Sequence, residues 1–205
     1  MLHAFEAGSA PINQYSTRWS DLELYMPQEY YQYFHATDNH APILKFIRLH
    51  CPVYTMSWNL HSFQLTCPRL ERANFSITRV KRTDIQLDNF THLTKNCISI
   101  IDSFLILSKT PRLVFCRVSG LCSSQHRDHW RIRTPVLTSL KSLQLLVTRF
   151  ADNFLNNLTA PHLEELSLPK HYFLSWKVII SFLRRSACSL RSFFAIFDDF
   201  IPYYF

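Results

Sequence analysis

One short pattern of apolar and polar positions recurs along the chain. APILKFIRL begins at Ala41, CPRLERANF at Cys67, TPRLVFCRV at Thr110 and APHLEELSL at Ala160. Each reads as a small or polar residue, Pro, any residue, Leu, two variable residues, then apolar, any, apolar. The kernel is Leu-x-x-Φ-x-Φ, with Φ apolar. WSDLEL from Trp19, FTHLTK from Phe90, LKSLQL from Leu140 and LRSFFA from Leu190 fit it less closely. The first positions fall at 19, 44, 70, 90, 113, 140, 163 and 190, which are 20 to 27 residues apart. That spacing is the period of leucine-rich repeats, in which each unit supplies a short strand and a convex-side helix or irregular segment. Two apolar positions two residues apart leave a strand on the same face and enter a core, while the residues between them face away. Proline two residues ahead of the leucine has no N–H to give to a ladder, which suits the turn that begins a strand.

The expected fold class is therefore α/β. It is a leucine-rich-repeat-like solenoid: a short curved parallel sheet with helices and irregular segments on the convex side. About eight irregular repeats fill a single domain over 1–205, the first near 19 and the last near 190. Strands are predicted near 21–25, 46–50, 72–76, 91–95, 115–119, 142–146, 165–168 and 192–195, with sequential strands as nearest neighbours. Wide apolar faces predict helices over 96–110 and 173–187, and shorter ones over 30–38 and 152–159. The unit at 90 ends in Thr94 and Lys95 rather than in an apolar residue. Near 140, Pro135 and Leu137 offer a register three residues earlier. The Asn that many such repeats carry after the strand is missing, and Pro52 and Pro169 stand in its place. The competing reading is an ordinary α/β domain with coincidental P-x-L strings.

The stretches FTHLT, SKTPRLVFCRVS, TPVLTSLKSLQL, LNNLTAPHLEELSLP and SFLRRSACSLRSF, with RWSDLELYMP ahead of them, carry a family likeness. Together they resemble the leucine-rich region of the F-box-like protein families of mushroom-forming fungi. The likeness spans about residues 15–197 and lies in order and spacing, so its motifs describe architecture rather than chemistry. It implies a substrate-recognition part. In such proteins an upstream F-box docks on the adaptor of a cullin-type ubiquitin ligase, while the repeats choose the substrate. Only about fifteen residues precede the first unit, too few for an F-box. The expectation is thus of a chain without its own F-box, with adaptor docking only if one lies upstream.

The outward strand positions are the candidate partner-binding residues: Phe46, Arg48, His50, Arg72, Asn74, His92, Phe115, Arg117, Gln144 and Glu165. The same alternation turns Asp21, Glu23, Tyr25, Ser76, Thr94, Ser119, Ser142, Ser167, Ser192 and Phe194 outward. Arginine and aromatic side chains are the usual anchors of protein interfaces. Unpaired Arg48, Arg72 and Arg117, with His92 between them, would suit an acidic or phosphorylated protein partner. The opposing possibility is that nearby acidic side chains neutralise each arginine.

Composition narrows the rest. Hydrophobic residues make up 47% and charged residues 18%, which excludes a disordered chain. Only two glycines occur, Gly8 and Gly120, which removes Gly-rich phosphate loops and dinucleotide fingerprints. The excess of 22 basic over 15 acidic residues allows a nucleic-acid reading. The dense basic runs are short, however: RVKR at 79–82 and HRDHWRIR at 126–133. That reading ranks below protein binding, as does a fragment with no independent function. No apolar window is long enough to span a membrane and no secretory leader is visible, so no membrane association and an intracellular protein, cytoplasmic or nuclear, are expected.

Six cysteines occur without a CxxC pair and read as reduced, mostly buried thiols. Cys116, Cys122, His126 and His129 form C-x5-C-x3-H-x2-H, which is off pattern for zinc, and Cys116 falls on an inward strand position. CSSQHRDH brings Cys122 near His and Asp only in sequence, and no G-x-S-x-G frame occurs. No catalytic residue, metal or cofactor is therefore expected, and the protein is not read as an enzyme. Sequons at Asn74, Asn89 and Asn157 are read as chance matches. Trp58, Trp130 and Trp176 are expected to anchor convex segments against the sheet. The apolar FFAIFDDFIPYYF is expected to cap the last unit or to lead into further chain.

Overall fold

The computed structural model describes residues 12–34, 40–50, 66–76, 87–122, 134–146, 150–168 and 174–195. Each outward–inward alternation in these segments is spent on one strand. The strands are β1 (Asp21–Tyr25), β2 (Phe46–His50), β3 (Arg72–Ser76), β4 (His92–Ser99), β5 (Phe115–Cys122), β6 (Ser142–Leu146), β7 (Glu165–Leu168) and β8 (Ser192–Ala195). They form a single open eight-stranded sheet in chain order, and every neighbouring pair is parallel. The fold is thus α/β with an all-parallel sheet. It is accompanied by α1 (Ile100–Leu107), α2 (Ala151–Asn156) and α3 (Trp176–Ser186). None of them is long and apolar enough to cross a membrane.

Six of the eight strands begin in the same way. The N–H groups of Leu44, Leu70, Phe90, Leu113, Leu140 and Leu163 each donate to the carbonyl three residues back, on Ala41, Cys67, Leu87, Thr110, Leu137 and Ala160. Proline fills the second place of four of these turns, at 42, 68, 111 and 161, where its fixed φ is already correct for the turn. Leu140 takes this place ahead of β6, so the earlier register offered by Pro135 and Leu137 is not used. Just past each turn, one carbonyl accepts from two successive N–H groups of the next strand. Ser20 serves Lys45 and Phe46, Lys45 serves Glu71 and Arg72, and the relay runs on through Glu71, Thr91, Val114, Lys141 and Glu164. This relay holds all eight strands in one stagger.

That stagger sorts side chains into continuous rows across the sheet. Leu22, Ile47, Ala73, Leu93, Cys116, Leu143 and Leu166 form one buried row, and Leu24, Leu49, Phe75, Lys95, Val118, Leu145 and Leu168 form the other. Lysine stands in the second row where the pattern asks for an apolar residue. It is fully buried, and its Nζ lies 5.7 Å from the Phe75 ring centroid. Its four-carbon stem supplies the apolar surface, and the ring face receives the ammonium. The buried residues of the helices, among them Phe104, Phe154 and Phe182, join both rows in a single core. Helices and core therefore share one side of the sheet. On that side Phe104 of α1 stacks on Phe154 of α2, with centroids 5.3 Å apart.

Several expectations need correction. Residues 96–99 continue β4 rather than opening a helix, because Ile98 and Ser99 pair with Leu121 and Cys122 of a longer β5. Gly120 allows this extension, since its φ of 62° is free of strain only in glycine. The helix then starts at a true cap: the Ser99 Oγ accepts from the Asp102 N–H at 3.0 Å. The segment near 30 forms a 3-10 turn, Gln28–Tyr33, instead of an α-helix, and 35–39 lie outside the described residues. α2 and α3 occupy 151–156 and 176–186 within the expected ranges. Trp176 meets the sheet through the last strand, and only in part. It is 52% exposed and leans on Phe193, itself 41% exposed on the last strand. Trp58, Trp130 and the segment 196–205 lie outside the described residues.

Candidate interaction surface

The side of the sheet away from the helices carries the outward positions. Parallel pairing stacks them in rows about 4.8 Å per strand. The first row is Asp21, Phe46, Arg72, His92, Phe115, Ser142, Glu165 and Ser192. The second is Glu23, Arg48, Asn74, Thr94, Arg117, Gln144, Ser167 and Phe194. A third, partial row holds Tyr25, His50, Ser76, Asn96 and Ser119. All ten candidate residues therefore lie on a single surface, in neighbouring places. The one outward position that is buried is Ser76, whose Oγ lies 2.8 Å from His50 Nδ1 and 3.3 Å from the Leu49 carbonyl. A small hydroxyl with two polar neighbours can sink into the surface, so Ser76 offers no contact to a partner.

Aromatic and cationic groups interleave here. The guanidinium carbons of Arg48 and Arg72 both lie over the Phe46 ring, at 5.4 and 5.3 Å from its centroid. Arg117 lies 5.8 Å from the Phe115 centroid, and His92 stacks on that same ring at 5.8 Å. At one end Tyr25 stacks on His50, with centroids 4.4 Å apart and planes 8° apart. Sequence reasoning turned Tyr25 outward without assigning it to the candidate set. Its place beside His50 in successive units was the available signal.

Of the two possibilities for the arginines, neutralisation by nearby acids holds for Arg48 and Arg72. Arg48 Nη1 donates to Glu23 Oε2 at 2.9 Å, and Arg72 Nη2 lies 3.9 Å from Asp21 Oδ1. The acidic first strand neutralises both. These pairs are exposed, so each contributes at most about 1 kcal/mol to stability, but they neutralise two cations of the outward face. Arg117 differs: its Nε donates to the Gln144 Oε1 at 2.8 Å, a neutral acceptor, and it forms no ion pair among the described residues. Asn74, Thr94, Asn96 and Ser119 add uncharged polar groups around it, with Ser119 Oγ donating to Asn96 Oδ1 at 2.7 Å. The strand-borne surface carries Arg48, Arg72 and Arg117 against Asp21, Glu23 and Glu165, three charges against three.

Of the metal or nucleophile motif, only Cys116 has a described side chain. It is an inward core thiol that burial pushes up to about 12. Cys67 is pushed to the same range by burial, and Cys188 is raised less. All three are free thiols. His126, His129 and both basic runs lie outside the described residues. Among the described residues no three His, Cys, Asp or Glu side chains gather as a metal site would require. Comparison of the chain with protein-family models, curated proteins and solved structures finds no match.

Proposed function

We propose that the chain is a protein-interaction module that binds its partner on the open side of the sheet. The observation that carries this reading is the cluster of Phe46, Arg48, Arg72, His92, Phe115 and Arg117 on a surface backed by continuous core. Aromatic rings and arginines are the usual anchors of protein interfaces, and here the guanidinium groups already lie over the Phe46 and Phe115 rings. The partner is a protein whose contacting segment carries carboxylate or phosphate, because the free donors of Arg117 face that surface. We further read the architecture as a leucine-rich-repeat-like solenoid. The recurring turn, the shared stagger and the sequential parallel strands all support it. With the family resemblance, this makes the chain the substrate-recognition part of an F-box-like protein of a cullin-type ubiquitin ligase.

The test is affinity capture with the full-length gene product, alongside a Phe115→Ala/Arg117→Glu variant of unchanged thermal midpoint. A substrate protein held by the native chain should be lost from the variant. Ubiquitin-ligase adaptor subunits should accompany both, since they dock elsewhere. Undiminished substrate capture by the variant would overturn the surface assignment. Capture of substrate without any adaptor would overturn the ligase reading and leave the binding module.

A further inference from the structure

Internal pairing leaves the surface with a particular residue of charge. β1 cancels the cations of β2 and β3, through Glu23–Arg48 and Asp21–Arg72. From β4 to β8 the outward rows hold two formal charges only, Arg117 on β5 and Glu165 on β7. Glu165 is exposed, and its side chain makes no ion pair or hydrogen bond among the described residues. Arg117 is held from two sides, by the Gln144 amide oxygen on Nε and by the Phe115 ring beneath its guanidinium. Its two terminal nitrogens have no partner among the described residues, so a fork of N–H donors is left fixed and open. A carboxylate fits that fork through two parallel hydrogen bonds.

We propose that β5–β7 form a dipolar recognition site, in which Arg117 seats an acidic side chain of the partner protein and Glu165 seats a basic side chain of the same segment. This rests on the protein-binding reading above and specifies its partner. The register fixes the spacing. Arg117 aligns with Gln144 and Ser167, and Glu165 stands two residues before Ser167. Two strand steps across and two residues along put the two Cα atoms about 12 Å apart. In an extended segment, residues i and i+4 point to the same side about 13 Å apart, which matches. Between the two charges the surface shows only Ser142, Gln144 and Ser167, which can bond to backbone amides of such a segment. A uniformly anionic partner such as nucleic acid fits less well, because its phosphates would meet Glu165.

Panning a random-sequence 12-residue peptide library on the full chain tests this. Selected peptides should carry Asp or Glu and Lys or Arg four residues apart, in one fixed order. The Arg117→Glu/Glu165→Arg protein should select the opposite order, with each peptide binding its own protein at least tenfold more tightly. Should the exchanged protein fail to fold, Glu165→Gln replaces it, and the native peptide should lose several-fold in affinity. Peptides that depend on Phe115 but lack the charge pair would overturn the dipolar site while leaving the binding surface in place. Selection of no peptide that depends on Phe115 or Arg117 would overturn both. Tighter binding of a random oligonucleotide than of any peptide would overturn the choice of partner.

Discussion

Arg184 and Arg185 are neighbours in the last turn of α3, yet the fold makes opposite demands on them. Arg184 is exposed and makes no side-chain bond among the described residues. Arg185 reaches back to α2. Its Nε and Nη2 donate to the Leu158 carbonyl at 3.1 and 2.9 Å, and Nη2 also donates to the Leu155 carbonyl. The last carbonyls of a helix lack α-helical partners; here the Leu155 carbonyl also accepts from the Leu158 N–H at 3.3 Å, and Leu158 follows the six-residue α2. Leu155 and Leu158 are fully buried with Arg185 in place, although Arg185 is itself exposed. Hydrogen bonds to a charged donor contribute about 1.5–3 kcal/mol, and most of that is lost in Arg185→Ala. Helix propensity opposes the loss by only a few tenths of a kcal/mol. At about 2–4 °C per kcal/mol for a chain of this size, the thermal midpoint should fall by about 3–12 °C. Arg184→Ala removes the same charge from the same turn and should stay within about 0.5 kcal/mol. Arg185→Lys keeps the charge but not the fork and should fall between the two. Urea and thermal denaturation followed by circular dichroism measure all three. If the two alanine variants agree within about 0.5 kcal/mol, the interhelical cap is refuted and with it the packing of α3 on α2.

Three further perturbations probe other parts of the same argument. Phe104→Ala and Phe154→Ala should each cost about 3–5 kcal/mol, and their double-mutant cycle should leave about 0.5–1.5 kcal/mol of coupling from the stacked rings. Zero coupling in denaturant melts would place α1 and α2 apart. Ala187 ends α3 at φ 48°, where a Cβ is strained, so Ala187→Gly should raise stability by about 1 kcal/mol, read from the urea midpoint. Burial raises the Cys67 and Cys116 thiols from 9.0 to about 12, so the fold favours their neutral form. That stabilisation is complete below pH ~9 and fades as pH climbs toward 12, and Cys116→Ala should therefore show a shallower alkaline loss of stability than the native chain. An identical alkaline slope would mean that the Cys116 thiol is not buried.

Strand positions were legible because each strand is short, starts at a Leu or Phe turn and buries alternate residues. Those three signals coincide at 46–50, 72–76, 142–146 and 165–168, where the expected and observed bounds agree. They fail where long-range pairing prolongs a strand. Nothing local tells CIS at 97–99 to remain extended; its partner is LC at 121–122, which follows the flexible Gly120. Helix bounds were blurred for the related reason that an apolar face cannot separate a helix from the segment that leads into it. The cap supplied by Ser99 and Asp102 is a sequence signal, and it marks the start more sharply than apolar periodicity does. Lys95 shows the reverse case. Its polarity argued against a core position, yet stacking in register with Phe75 and Val118 outweighed the residue type.

The candidate surface was legible residue by residue but not in its charge, and the cause is register. A formal net charge of +7 says nothing about a surface on which three arginines face three carboxylates. What matters is which residues share a rung. Glu23 and Arg48 hold equivalent places in consecutive strands, so parallel stacking brings them together; Asp21 reaches Arg72 only across the intervening Phe46. Arg117 shares its rung with Thr94 and Gln144, and its charge stays without an ion pair among the described residues. In a sheet whose strands all keep one stagger, a cation is structural when either neighbouring strand carries an acid at the same place, and left with its charge when neither does. By that criterion Arg48 belongs to the scaffold and Arg117 to the proposed binding site. Neutralising Glu23 should then free Arg48 and add a second anion-binding point to the surface. Glu23→Gln is therefore expected to strengthen capture of an acidic peptide at low salt, while shifting stability by less than about 1 kcal/mol. Unchanged peptide affinity with an unchanged fold would show that the two rungs do not act on one partner.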